Sequence, residues 1–216
     1  QVIINTAGWD TDCNAANVGS VMGVKVGLDR ISEVYDFQSP FADRVILPTA
    51  EGTRGFTDVL NEALHVARIG RHVMGWPEAV PPKEGAWHHF SLPGALHGYM
   101  SDETAFESRG NATLTNTAVP PTGEHGMQVD FRCDAGRVAR ISTPILAAGK
   151  SGSYGIVATP RLCSGMSVHM AISASEVVGA VIARLFVRHS GEGVCCYSPA
   201  TSLEKGQDTV LHLTIE

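Results

Sequence analysis

The sequence predicts a multidomain α and β chain in which a helical portion over residues 1–76 precedes an antiparallel β-sandwich over 87–216. Three observations predict it. Proline-free apolar runs with helical spacing occupy Cys13 to Leu28 and Thr57 to about Met74. A linker over 77–86 holds Pro77, Pro81, Pro82 and Gly85, which cannot continue a helix and favour extended chain. From Trp87 onward short alternating segments are separated by glycine-rich turns, with no intervening helical period.

Taken in order, Val2-Ile3-Ile4 reads as a short buried strand that runs into the turn Ala7-Gly8-Trp9-Asp10-Thr11-Asp12-Cys13-Asn14. Asp10 and Asp12 lie one residue apart, where their like charges repel unless a cation or several N–H donors sit between them. The helix from Cys13 to Leu28 carries Ala15, Gly19 and Gly23 at i, i+4 spacing, so one side is nearly bare backbone. An interior glycine costs about 1 kcal/mol against alanine, which calls for close approach by a neighbouring helix and a central place in a helical core. The N-terminal end of this helix also suits a phosphate-bearing ligand. The same turn is equally open to a plain reading, in which Asp10 or Asp12 caps the helix for about 1 kcal/mol.

Residues 31–52 read as a connector containing Asp36-Phe37-Gln38-Ser39, Pro40 and Pro48. Thr57 is placed as the N-cap of a second helix with Val59, Leu60, Ala63, Leu64 and Ala67 on its buried face, and His65, Arg68, Arg71 and His72 on its polar surface. In the second half the predicted strands are Met127–Phe131, Val138–Ser142, Tyr154–Thr159, Ser167–Ser173, Val177–Val187, Val194–Tyr197 and Thr209–Ile215, with a helix as the alternative for Val177–Val187. The turns between them include Pro120-Pro121-Thr122-Gly123, Asp134-Ala135-Gly136 and Ser190-Gly191-Glu192-Gly193.

The stretch Gly8-Trp9-Asp10-Thr11-Asp12-Cys13-Asn14-Ala15-Ala16-Asn17-Val18-Gly19 resembles the C-terminal metal motif of the ADP-ribosylglycohydrolase family, commonly Gly-Gly-Asp-Thr-Asp-Thr before a small-residue helix. The resemblance implies that 1–76 is the C-terminal portion of an all-α domain. It implies Mg²⁺ or Mn²⁺ held by Asp10 and Asp12, with Cys13 at the family's threonine position, and cleavage of an ADP-ribosyl or related glycosyl bond by water. Asp10 and Asp12 then carry both metal binding and catalysis, on a small-molecule or ADP-ribosylated substrate. Trp9 departs from the second glycine, and a thiol offers little to a hard cation. The family's upstream Thr-Asp-Asp cluster does not occur in these residues, so the chain is expected to be part of a longer protein with half of the metal site. The competing expectation is a non-catalytic binding or structural module.

The second half resembles, in texture, the jelly-roll or galactose-binding-like modules appended to many hydrolases, through Thr159-Pro160, Val168 to Ser173 and Ala183-Arg184-Leu185-Phe186-Val187. That resemblance implies a carbohydrate ligand but transfers no binding residues. Trp87, Phe90 and Tyr99 are the aromatics able to form a sugar platform, with core packing as the commoner role. Arg137, Arg140, Arg184 and Arg188 could line one face of the sandwich for an anion, or simply form a solvated face.

Composition narrows the rest. The 216 residues are 44% hydrophobic and 18% charged, ordinary for a globular protein. A net charge of -6 without a basic stripe argues against a nucleic-acid partner. No apolar run approaches the roughly 18 residues of a membrane span. Cys13, Cys133, Cys163, Cys195 and Cys196 form no C-x-x-C pair and read as reduced, mostly buried thiols of a cytoplasmic protein. Adjacent Cys195 and Cys196 face opposite ways on a strand. Gly149-Lys150-Ser151 lacks the earlier glycine of a phosphate loop, Pro144 standing there. His88, His89 and His97 lack a carboxylate or cysteine partner that would complete a metal cluster.

Overall fold

A computed structural model describes residues 2–31, 43–48, 52–119, 121–146, 159–189 and 195–216, together with 33, 35, 37 and 193. The chain divides into two compact units, Gln1–Thr159 and Pro160–Glu216. All but the last residue of the expected strand Tyr154–Thr159 lies outside the described residues. So do the Gly149-Lys150-Ser151 motif, Pro40, Pro120, Val194, the turn residues Ser190, Gly191 and Glu192, and the polar residues Asp36, Gln38 and Ser39.

The first unit opens with three helices, α1 (Val2–Asn5), α2 (Thr11–Val26) and α3 (Leu28–Ile31). Val2-Ile3-Ile4 is thus a helical turn with Val2 and Ile3 exposed, not a buried strand, since a three-residue apolar run needs a partner strand to form a ladder. Helix α2 begins and ends within two residues of expectation. It stops where Gly27 takes φ 80°, a left-handed value that glycine tolerates without steric cost.

The fold-class expectation is corrected here. Residues 1–76 are not a packed all-α domain, because α2 buries no residue, and Val21 and Val24 are 69% and 89% exposed. Its principal neighbours are α1 and α3, four residues each and too short to cover it. At Gly23 an added Cβ would meet only the Ile31 side chain at 3.6 Å, an ordinary contact that an alanine also makes.

Strands β1 (Arg44–Ile46) and β2 (Phe56–Asp58) follow, paired antiparallel with Arg44 opposite Asp58 and Ile46 opposite Phe56. Backbone bonds from Leu47 N to Gly55 O and from Val59 N to Asp43 O, both 2.8 Å, extend the ladder at each end. Three rungs are too few to show as a period in the sequence, where β1 falls within the expected connector. Helix α4 (Val59–Val73) leaves directly from β2. Its N-cap is Asp58, one residue after the expected Thr57, because the Asp58 Oδ1 accepts the Asn61 N–H at 2.9 Å while Thr57 is taken up in β2. Arg54 Nε bonds both carboxylate oxygens of Glu62 at 3.1 and 3.2 Å and ties the first turn of α4 to the chain before β2.

Past α4 the chain crosses Pro82–Gly85, a tight turn in which Lys83 Nζ donates to the His125 carbonyl at 2.7 Å. Strands β3 (Met100–Ser101), β4 (Ala112–Val119), β5 (Glu124–Phe131) and β6 (Ile141–Ser142) complete the first unit. β4 and β5 form an eight-rung antiparallel hairpin from Ala112–Phe131 to Val119–Glu124, and β3 pairs with β6. Buried Asp102 joins these parts, with Oδ2 accepting from Arg140 at 3.0 Å and Oδ1 from the Thr104 N–H at 3.1 Å.

The second unit holds β7 (Ser167–Ser173), β8 (Val181–Ala183), β9 (Phe186–Arg188), β10 (Cys195–Tyr197), β11 (Thr201–Leu203) and β12 (Asp208–Thr214). β7 pairs with β12 over seven rungs, and β8–β9 face β11–β10 in a second ribbon. That ribbon is interrupted where Ser198, Pro199 and Ala200 oppose only Arg184 and Leu185, a one-residue bulge. Pro199 has no N–H to give a ladder, and the Ser198 hydroxyl instead accepts the Leu185 N–H at 2.9 Å. Leu185, Leu211 and Leu213 form the core, flanked by Val168, Met170, Ile172, Ala183, Val187 and Ile215. The described strands therefore form separate two-stranded ladders and not the two sheets of the expected β-sandwich. Segments of two or three residues such as β3, β6 and β8 are too short to recruit further neighbours.

Gly70 lies inside α4 with helical backbone and open space where a Cβ would stand. Gly70→Ala is expected to raise stability by about 0.5–1 kcal/mol, read as a higher urea midpoint; a lower midpoint would contradict the placement of this residue.

Candidate functional site

The turn at residues 8–14 is built by two backbone features. Gly8 takes φ 77° and Asp10 takes φ 44°, ψ 51°, both left-handed, which folds the chain back before α2 begins. Asp10 occupies the N-cap position, yet its side chain accepts no cap hydrogen bond, so the helix-capping reading of Asp10 finds no support in the geometry. Asn14 steadies the turn instead, its Nδ2 donating to the Trp9 carbonyl at 3.2 Å and its N–H to the Asp10 carbonyl at 3.1 Å. Asp12 sits in the first helical turn, where a negative charge meets the positive end of the dipole.

The three residues picked from the sequence are brought together. Ligand atoms of Asp10, Asp12 and Cys13 all lie within 4.8 Å of one another, and all three residues are exposed. Among the described residues no other group of three His, Cys, Asp or Glu side chains converges in this way. Two carboxylates suit a hard divalent cation, which takes oxygen donors and keeps several waters. The Cys13 thiol suits Mg²⁺ poorly and a softer cation better. A surface hollow of about 260 Å³ lies further along α2 against Asn17, Val18, Val21 and Met22, a wall without charge.

The structure also assembles a cluster that the sequence does not announce. Asp58 and His97, 39 positions apart, meet with His97 Nδ1 at 3.2 Å from Asp58 Oδ2, their side chains 0% and 2% exposed for His97 and Asp58. The Phe90 N–H donates to His97 Nε2 at 3.2 Å, so that nitrogen is unprotonated and Nδ1 carries the hydrogen toward Asp58. Asp58 further accepts from Asn61 Nδ2 at 2.8 Å. Burial on its own would raise the Asp58 carboxyl, but the bonds from His97 and Asn61 outweigh it and hold the group below the usual carboxylate value.

His89 lies edge-on to His97 with ring centroids 4.9 Å apart, and is buried. The Ser91 N–H donates to its Nδ1 at 3.1 Å, which leaves Nε2 carrying the hydrogen, with no acceptor among the described residues. Burial pushes the His89 imidazole below its ordinary pKa, and the neighbouring His97 adds to the effect. Asn116 of β4 holds this loop with three bonds and reaches β5 with a fourth. Its Nδ2 donates to the Phe90 and Ala95 carbonyls at 2.9 Å each, and its Oδ1 takes the Gly94 N–H at 3.1 Å and meets His125 Nδ1 at 2.7 Å. The cluster is closed to solvent and both His97 nitrogens are engaged, so it acts as a brace and not as a metal centre. Its signal in the sequence is the His-His-Phe-Ser run with His97, which lacks a nearby carboxylate there; Asp58 supplies one.

Other candidates fall into place. Phe90 and Tyr99 stand 5.9 Å apart at 56° and pack with His88, while Trp87 is 39% exposed. Arg137 and Arg140 belong to the first unit, Arg184 and Arg188 to the second. Arg140 bonds Asp102, Arg137 bonds Asn111 and lies 5.2 Å from the Phe106 ring, Arg184 lies over Tyr197, and Arg188 over Phe186. The cysteines are not mostly buried: Cys13, Cys133, Cys163 and Cys196 are exposed and Cys195 partly so. No helix among the described residues is long and apolar enough to cross a membrane. No family model, curated protein or solved structure matches the chain.

The brace carries a pH dependence whose sign is fixed. His89 has a lowered folded pKa, so its contribution is whole above the ordinary histidine value of about 6.5 and declines as the pH falls below it, because the unfolded chain then binds a proton the folded chain resists. Asp58 adds stability above the ordinary carboxylate value, lost as the pH falls from there through its lowered folded value. Urea unfolding between pH 8 and 4 is expected to show stability falling below about pH 6.5, with a shallower decline in His89→Leu. Equal slopes in the two proteins would contradict the buried, neutral assignment of His89.

Proposed function

We propose that the Asp10–Asp12–Cys13 turn is half of a divalent-cation site and that it serves hydrolysis of an ADP-ribosyl or related glycosyl bond, with Mg²⁺ or Mn²⁺ as the cation. The observation that carries this reading is the convergence of three donor side chains within 4.8 Å on an exposed turn. The uncapped Asp10 carboxylate supports it, since that group is not committed to the helix. Asp10 and Asp12 hold the cation, and the first N–H groups of the sixteen-residue α2 lie at the same end, where phosphate oxygens of a substrate find donors. A cation bound there supplies Lewis-acid charge and acidifies a water. The remaining ligands come from outside this turn. A reducing, cytoplasmic setting belongs to the same proposal, and the five unpaired thiols support it.

A second reading is that the turn binds a cation without catalysis, in a binding or structural module. It is favoured by the exposure of all three donors and by the absence, among the described residues, of a further His, Cys, Asp or Glu that joins them.

Calorimetric titration of Mg²⁺ and of Mn²⁺ into the chain tests both, followed by assay of ADP-ribose release from an ADP-ribosylated peptide. Saturable binding weakened at least about tenfold in Asp10→Ala and in Asp12→Ala is expected, as for removal of a charged ligand worth more than about 1.4 kcal/mol. Undiminished binding in either variant overturns the site. Binding without release of ADP-ribose selects the second reading.

A further inference from the structure

The ladder between β7 and β12 sets His169 directly opposite His212, with ring centroids 4.5 Å apart and planes inclined by 36°. Both are exposed. Their position follows from the strand period of two. Val168 opposite Leu213 and Met170 opposite Leu211 turn into the core, so the residues between them must project from the other face. A slip of β12 by one residue would expose Leu211 and Leu213 and bury His212, so the core fixes the register and the register fixes the pair.

Residues directly opposite on an antiparallel pair have Cβ atoms about 4.5–5.5 Å apart, close enough for two imidazoles to share one cation. The neighbours on the same face are the Ser167–Thr214 rung, with hydroxyls 3.2 Å apart, and the Ala171–Val210 rung, all neutral. No cationic side chain on these rungs opposes an arriving metal. The acidic Asp208 stands two same-face rungs away, about 13 Å along the strand, and cannot share a coordination sphere with the pair. The donor set is therefore nitrogen alone, which suits borderline divalent metals and gains little from Mg²⁺ or Ca²⁺.

We propose that His169 and His212 form a two-imidazole binding site for a borderline divalent cation, Ni²⁺, Cu²⁺ or Zn²⁺, on the outer face of the 160–216 unit. The remaining coordination positions are open to water or to a donor carried by a ligand. This site shares no residue with the aspartate turn.

The test is titration of Ni²⁺ into the full chain at pH 7.5, followed by calorimetry and by the visible absorption of the bound ion. His169→Ala, His212→Ala, the double variant and Asp10→Ala are compared. A saturable equivalent is expected that is weakened at least tenfold by either histidine change, lost in the double variant and unaltered in Asp10→Ala. Since both histidines are on an exposed face, the metal-free variants are expected to unfold at the same temperature as the parent, and Ni²⁺ is expected to raise that temperature in the parent and in Asp10→Ala, and by less in the histidine variants. Absence of binding in the parent, or an equivalent that persists in the double variant, overturns the proposal.

Discussion

Asp58 stands where β2 turns into α4, and the fold of residues 43–97 depends on what its carboxylate accepts. One group there does three things: it caps α4 through the Asn61 N–H, takes a second bond from the Asn61 side chain, and receives His97 from the far end of the following loop. A buried carboxylate is tolerable only when such donors surround it, and leaving a buried polar group without its partner costs on the order of 1–3 kcal/mol, more for a charged one. His97 passes the constraint on, because its second nitrogen is held by the Phe90 N–H. Phe90 and His97 both sit at left-handed backbone angles, φ 53° and 48°, a conformation that costs a side-chain-bearing residue about 1–2 kcal/mol. The bonds from Asn116 to the Phe90 and Ala95 carbonyls offset that strain and join the loop to the β4–β5 hairpin.

The smaller unit is held by a different means. It has no comparable buried carboxylate–imidazole bond among its described residues, and its order comes from alternation: inward aliphatic residues of β7 and β12 against Leu185, Ala183 and Val187 of the second ribbon. Polar bonds serve there to hold the ladder at the Pro199 bulge, where the Ser198 hydroxyl accepts the Leu185 N–H. The apolar face that fixes the register also decides what the opposite face displays, and it is this consequence that sets two imidazoles side by side.

What the residues disclose in advance is what depends on near neighbours. The seven-residue alternation of Ser167–Ser173, the stretch around Asp208–Thr214, and helices α2 and α4 all follow from local period and punctuation. Strand β4 escapes such a reading because Thr113, Thr115 and Thr117 fill one face and Asn116 interrupts the other, although its turn at Thr122-Gly123 is legible. The all-α domain and the sandwich fail for another reason: both require long-range assembly, and α2 lacks a large apolar partner while most strands are three residues or fewer. At the aspartate turn, local spacing is enough to single out Asp10 and Asp12, whereas Cys13 enters only through the resemblance to a family motif. The Asp58–His97–His89 brace is not visible, since nothing in the sequence links a helix cap to a loop 39 positions away.

The brace makes a specific demand on protonation: hydrogen on Nδ1 of His97 and on Nε2 of His89, each imidazole fixed by a backbone N–H on its other nitrogen. Imidazole ¹⁵N correlation spectra of the protein at pH 7, assigned with His97→Gln and His89→Gln, measure this directly. Two single, opposite tautomers are the expected result, Nδ1–H for His97 and Nε2–H for His89. Averaged signals from interconverting tautomers, or a doubly protonated His97, would contradict the brace and with it the account of how Asp58 organises the larger unit.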